Sequence, residues 1–358
     1  MSAAHDQSAP SLIDAHGRVV RDLRLSVTPR CNFRCTYCDP MGVGAHEPPG
    51  TLLAEHFDVI LRAAAGLGME SVRFTGGEPL LRKDLPQLIA MAHAAFDDAP
   101  RAGSDTSGAG ASRSGPVRGG EPADIAITTN ASALAKRLPE LMAAGLRRVN
   151  VSLDAVDPDA FRLATGGGDV AKVWEGVTAV EAAGLTPLKL NAVVVRGVND
   201  SEVAALAALT RDKPYHMRFI EYMHLDNAAF GTYDARFVPG SEIRAAVEAA
   251  HGELESVPTD PSAPARLFRV PGWAGNIGFI NPVSEPFCSA CSRMRVTSDG
   301  MLRPCLLNDR EFDLKPALLQ QDPITAVQDV FLLAAGRKVA SGITAPVERP
   351  RTMVAIGG

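Results

Sequence analysis

The chain has 358 residues, 46% hydrophobic and 22% charged, enough for one large domain, or one domain with an extension, around a sizeable core. A net charge of −5 and a pI of about 5.9 exclude a global positive field that would draw in nucleic acid or an acidic membrane, so an anionic substrate needs a local basic cluster. No apolar run is long enough to span a bilayer, and residues 1–18 lack the order of a signal peptide and the arginines of a transit peptide; a cytoplasmic protein with no membrane or nucleic-acid partner is expected.

After an N-terminal arm (1–20), strand-like runs alternate with helical stretches over 21–223. Strands are expected at 23–28, 71–75, 125–129, 149–154, 188–194 and 216–220. Helices are expected near 53–67, 84–96, 132–144, 171–184 and 201–211. Six strands with five intervening helices read as repeated βαβ units and a parallel sheet, either an open barrel or a doubly wound sheet. Residues 97–123 break the rhythm: rich in Gly, Ser, Ala, Pro and Asp, they cannot bury enough surface to offset their ordering entropy and read as a disordered surface insertion. Over 224–358 the pattern becomes that of a smaller α+β extension. It has a helix near 241–250, strands at 266–270 and 273–280, a hairpin around Gly300, a helix near 324–337 and a Gly357-Gly358 tail.

Strand parity chooses between the two parallel architectures. Each strand has an apolar face, such as Leu23, Leu25 and Val27, and a largely polar one, such as Arg24, Ser26 and Thr28. A doubly wound sheet would be apolar on both faces, and a closed eight-stranded barrel would fill its centre with branched apolar side chains. A parallel barrel with a polar, ligand-holding lumen fits instead: an incomplete (β/α)6 TIM-type barrel with a C-terminal α+β extension. That lumen carries Arg24, Arg73, Lys189 and Arg218, with Asp154 as the only acid in the set. Four like charges on one buried face are costly unless carboxylates elsewhere pair them or a polyanion such as a triphosphate binds there.

Six cysteines fall into two groups of three, which argues against a disulfide framework and for metal or cluster ligation. Cys31, Cys35 and Cys38 have C-x3-C-x2-C spacing in the loop after the first strand, at the mouth where parallel barrels carry their chemistry. Three thiolates on one loop can hold three corners of a [4Fe–4S] cluster and leave the fourth iron open. A zinc site or a lone electron-transfer cluster is the alternative. Gly76-Gly77-Glu78-Pro79, at the mouth end of the second strand, lets backbone approach a ligand, and Glu78 can accept from an ammonium. The second group, Cys288, Cys291 and Cys305, has no histidine anywhere in 252–358 to complete a local zinc site, although a remote ligand would restore that reading. Arg293 and Arg295, at i and i+2 of an expected strand, point the same way as an anion clamp.

The first triad and Gly-Gly-Glu-Pro resemble the radical SAM superfamily, in which Tyr37 matches the aromatic position that contacts adenine. Taken with residues 21–28, Arg73 to Pro79, Asn150-Val151-Ser152-Leu153-Asp154, Arg218 to Met223, Phe287-Cys288 and the terminal Gly-Gly, the chain resembles the GTP 3′,8-cyclase (MoaA) family over residues 18–358 apart from the insertion. The resemblance implies two [4Fe–4S] clusters, the second binding guanine, and S-adenosylmethionine as co-substrate. It implies that Arg24, Arg73, Thr128, Lys189, Arg293 and Arg295 bind GTP, with Arg218 as an additional anion contact. Tyr37, Gly77, Ser152 and Met223 would bind S-adenosylmethionine, and removal of the ribose 3′ hydrogen would begin attack on guanine C8. The implied partners are a reductant of flavodoxin or ferredoxin type and, functionally, the next enzyme, cyclic pyranopterin monophosphate synthase, for a monomer or homodimer. Four positions depart from the family: Ser71 replaces a common lumen lysine, Asp39 a methionine, Pro29 an aspartate and Ala131 a glycine. The alternatives are another radical SAM enzyme, such as a peptide-modifying maturase, and a non-catalytic cluster protein. The former usually carries more auxiliary cysteines, and the latter has no use for a basic lumen.

Overall fold

Residues 11–46, 50–97, 123–225, 232–342 and 349–357 are described by the structure, a computed structural model. The first half is a run of βα units: β1 (Asp22–Ser26), α1 (Ala54–Gly66), β2 (Ser71–Thr75), α2 (Leu85–Asp97), β3 (Asp124–Thr129), α3 (Leu134–Ala143), β4 (Arg148–Ser152), α4 (Pro158–Thr165), α5 (Val170–Ala182), β5 (Lys189–Val194), α6 (Val203–Ala208) and β6 (His216–Glu221). The second half holds α7 (Tyr233–Arg236), α8 (Gly240–His251), β7 (Glu255–Val257), β8 (Arg266–Arg269), β9 (Asn276–Ile280), β10 (Arg293–Val296), β11 (Met301–Arg303), β12 (Phe312–Asp313), α9 (Lys315–Leu318), α10 (Pro323–Gly336) and α11 (Met353–Ile356).

Local chemistry sets the helix ends. The Asp157 side chain accepts from Asp159 N and Ala160 N, Pro158 opens α4, and Gly166 closes it at φ 64, a left-handed conformation that costs glycine little. Asp169 and Asp322 cap α5 and α10 in the same way. Each long helix buries one stripe against the sheet; on α1 it is Phe57, Ile60, Leu61 and Ala64, the three larger side chains contributing about 1.5–3 kcal/mol each.

All twelve strands form one sheet in the order β12-β11-β10-β1-β2-β3-β4-β5-β6-β9-β8-β7. The six expected barrel strands are parallel neighbours, and no ladder joins the two ends of the order among the described residues, so the barrel is incomplete, as expected from the sequence. The extension contributes more to it than a separate α+β appendage would. β10 pairs parallel with β1 and β9 parallel with β6, which makes eight consecutive parallel strands flanked by antiparallel β11–β12 and β8–β7. Short α4 was not expected as a separate helix. Of the insertion, residues 98–122 lie outside the described residues. Its flanks meet, Ala123 N donating to Asp97 Oδ1 at 3.1 Å. No helix among the described residues is long and apolar enough to cross a membrane.

Candidate functional site

The first cysteine loop leaves β1 at its C-terminal end and is fastened on three sides. Gly77 N donates to Thr28 O at 2.8 Å and Glu78 N to Arg30 O at 2.6 Å, which lays the Gly-Gly-Glu-Pro turn flat on the loop. Only glycine fits at Gly77, because a Cβ there would stand 2.3 Å from Arg30 O. Asn130 Nδ2 donates to Asn32 Oδ1 (2.9 Å), and Arg34 N and Thr36 N donate to Thr165 O and Ala164 O at the end of α4. Beneath the loop, buried Asp39 accepts from Val43 N and Gly44 N, both at 2.8 Å. Each oxygen of the aspartate at this departure from the family therefore has a backbone donor, which makes it part of the loop's own structure.

The Glu78 carboxylate is already engaged by three donors. Its oxygens accept from Leu80 N (2.9 Å), Thr129 Oγ1 (2.7 Å) and Asn130 N (2.7 Å). Burial raises its pKa to about 7 against these donors. Its role is to tie the turn after β2 to the loop after β3. The Tyr37 hydroxyl donates to Asp154 Oδ2 at 2.8 Å, and the residue packs against the buried cluster of Val195, Tyr222 and Tyr233 beyond the C-terminal ends of β5 and β6. Ser152 ends β4 in register with Asn191, and Met223 follows β6 by two residues. Tyr37, Gly77, Ser152 and Met223 thus all lie at the C-terminal end of the barrel.

The lumen is built in rows of laterally paired residues. One runs Arg293–Asp22–Ser71–Asp124, the next Arg295–Arg24–Arg73–Ala126–Arg148, the next Thr128–Asn150–Lys189–His216–Asn276, and another Ser152–Asn191–Arg218–Gly278. All the expected lumen cations therefore share one interior. Burial and mutual repulsion press the pKa values of Arg24, Arg73, Lys189, Arg218 and Arg295 downward. Sequence reading made Asp154 the only acid of this set. The structure adds Asp22 and Asp124, with Arg148 and His216, which are the first residues of their strands or lie just before the expected starts. Arg148 is ion-paired with Asp124. Ser71, in place of the family's lysine, donates to Asp22 Oδ1 at 2.5 Å, and Ser292 donates to the other oxygen. Arg218 donates to Asn150 Oδ1 (2.8 Å). His216 Nε2 lies 3.0 Å from the Asn276 amide, whose oxygen accepts from Arg269, so the imidazole is the acceptor and neutral. Burial, then Lys189 and Arg218, lower its pKa to about 4.

Cys288 and Cys291 bracket a 3-10 turn before β10, and Cys305 follows β11. Burial opposes ionisation of Cys291, but Arg293 and Lys338 outweigh it and bring its pKa to about 7. In the first triad, burial raises Cys31 to about 11. None of the six cysteines is in a disulfide, and among the described residues no three His, Cys, Asp or Glu side chains converge on the position of a single ion. A cubane bonds each thiolate to a different iron, so three half-buried thiols around one space suit the donor set it needs. The tail completes the chamber. Arg295 Nη1 donates to Gly357 O at 2.7 Å, and a Cβ on Gly357 would stand 2.7 Å from Ser26 Cβ and 3.2 Å from Thr75 Cγ2. Gly358 lies outside the described residues.

Comparison with known proteins bears on this arrangement. A family model described as the radical SAM superfamily matches residues 25–210, and one described as Molybdenum Cofactor Synthesis C matches 215–341. The GTP 3′,8-cyclase of Moorella thermoacetica is 38% identical over 348 residues, 96% of this chain and 99% of that protein. That of Geobacter sulfurreducens is 39% identical over 351 residues, 97% of this chain and 99% of that protein. The solved structure of native anSMEcpe with bound AdoMet shares the fold, with a TM-score of 0.51 at 13% identity, over 87% of this chain and 84% of that one. With two such relatives aligned over nearly the whole chain, and both halves matched by the corresponding family models, this chain belongs to the GTP 3′,8-cyclase family of the radical SAM superfamily.

Proposed function

We propose that the chain converts GTP to 3′,8-cyclo-7,8-dihydro-GTP, the first step of molybdenum cofactor biosynthesis, inside the barrel lumen. The observation that carries this reading is a row of like charges, Arg295–Arg24–Arg73, set between two cysteine triads that form no disulfide. When bound, a [4Fe–4S] cluster on Cys31, Cys35 and Cys38 supplies reductive cleavage of S-adenosylmethionine, and a second on Cys288, Cys291 and Cys305 supplies an open iron for the purine. Tyr37, Gly77, Ser152 and Met223 hold S-adenosylmethionine at the mouth. Arg24, Arg73, Thr128 and Lys189, with Arg218, bind GTP by its triphosphate end, and Arg293 and Arg295 clamp it beside the second triad. Fixing the ribose between the two ends is the protein's contribution, since a misplaced reactive species would attack elsewhere. The electron comes from an external donor of flavodoxin or ferredoxin type.

The test is anaerobic reconstitution to about eight irons per chain, reduction, and addition of S-adenosylmethionine with GTP or ATP. GTP-dependent 5′-deoxyadenosine with loss of GTP is expected. No 5′-deoxyadenosine, or its formation with GTP unchanged, overturns the reading.

The lumen also predicts a proton linkage. His216 has its pKa lowered from 6.5 to about 4, so its contribution to stability is present above pH 6.5 and is lost as pH falls toward 4. A triphosphate between Lys189 and Arg218 offsets the cations that depress it. At pH 5.5, GTP binding should take up more protons in the parent than in His216→Gln, measured by calorimetry in two buffers; equal uptake would exclude His216 from the electrostatics of the site.

A further inference from the structure

The two cysteine triads differ in the charged groups that touch them. Around the first, charges of both signs are close: Asp39 is bonded into the cysteine loop, Asp154 accepts from Tyr37, and the Arg236 guanidinium donates to Thr36 O at 3.0 Å. Against the second lies a cation, Lys338, just past the C-terminal end of α10. Its side chain is 4% exposed. Nζ stands 2.6 Å from Arg293 O, 2.6 Å from Pro304 O and 3.6 Å from Cys291 Sγ. These atoms belong to the two segments that carry Cys291 and Cys305, so one ammonium spans the triad. No carboxylate among the described residues forms an ion pair with it. Arg18, the other cation bonded to this loop through Cys288 O (2.6 Å), is already neutralised by Asp14 at 2.6 Å.

A buried lysine without a counter-ion is expensive, and two carbonyls do not cancel its charge. Three thiolates on a [4Fe–4S] unit carry net negative charge, which becomes more negative on reduction. We propose that Lys338 is a positioning residue for the second cluster: it joins the two cysteine segments and its charge favours the reduced state, so this cluster is reduced at a more positive potential than it would be without that ammonium. This rests on the two-cluster reading above.

The experiment uses the full-length Cys31→Ala/Cys35→Ala/Cys38→Ala variant, which isolates the second site, as parent for Lys338→Gln and Lys338→Arg. Each is reconstituted with iron and sulfide and titrated with dithionite under electron paramagnetic resonance. The parent should hold about four irons, and a parent that holds none sinks the two-cluster reading itself. Lys338→Gln keeps hydrogen-bonding capacity without charge. It should shift the midpoint to more negative potential, or lose the cluster, while Lys338→Arg stays near the parent. An unchanged midpoint in a fully loaded Lys338→Gln overturns the proposal. So does equal cluster loss in both substitutions, which would leave Lys338 a purely steric part.

Discussion

Gly357→Val is expected to lower GTP conversion by roughly 100-fold while both clusters stay loaded, the size of effect that follows from misplacing a reacting group by about 1 Å. Gly357 has φ +90, a conformation that a β-branched residue rarely adopts, and its missing side chain leaves room for Ser26 and Thr75. Its carbonyl accepts from Arg295, so displacing it also releases one of the proposed GTP clamps. The tail reaches this position because ion pairs hold it: Arg351 to Asp299 (2.9 Å) and Glu311 (2.9 Å), and Arg349 to Asp309 (3.2 Å). The substitution leaves those pairs in place, so folding and iron content should survive. Turnover equal to the parent at full iron content would remove the tail from the site.

Arg24→Met should act with opposite signs on stability and on binding. Without a bound anion, Arg24 stands between Arg73 and Arg295 in one lateral row, and burial and those two neighbours disfavour its charge. Deleting the charge removes repulsion, so the melting temperature of the GTP-free protein should rise. The same deletion removes a charge-assisted contact to phosphate, worth about 1.5–3 kcal/mol, so GTP should bind roughly 10- to 100-fold more weakly. Sites that hold such groups trade stability for function. Calorimetry and equilibrium binding read the two effects; a lower melting temperature with unchanged GTP affinity would mean that Arg24 is structural.

Much of this was legible because a strand's polar face survives as an alternation of residue types. Arg24, Arg73, Lys189 and Arg218 were assigned to one interior from parity alone, and they share it. The acids are invisible to strand parity because Asp22 and Asp124 precede the first apolar residue of their strands. Asp22 then proved to anchor Ser71 and Ser292, a pairing between residues 270 apart that no local pattern reveals. The joining of β9 and β10 to the barrel was hidden for the same reason, since parallel pairing over such separations leaves no mark in either segment. The three donors on Glu78 are invisible in the sequence because a carboxylate beside two glycines looks unengaged until the fold places Leu80, Thr129 and Asn130 around it.

In the proposed reaction the lumen holds GTP with its ribose between the two triads. GTP carrying deuterium at the ribose 3′ position tests it most directly. Incubated with the reconstituted, reduced enzyme and unlabelled S-adenosylmethionine, it should give 5′-deoxyadenosine containing one deuterium, together with loss of GTP. Unlabelled 5′-deoxyadenosine formed while the deuterated GTP is consumed would contradict that placement.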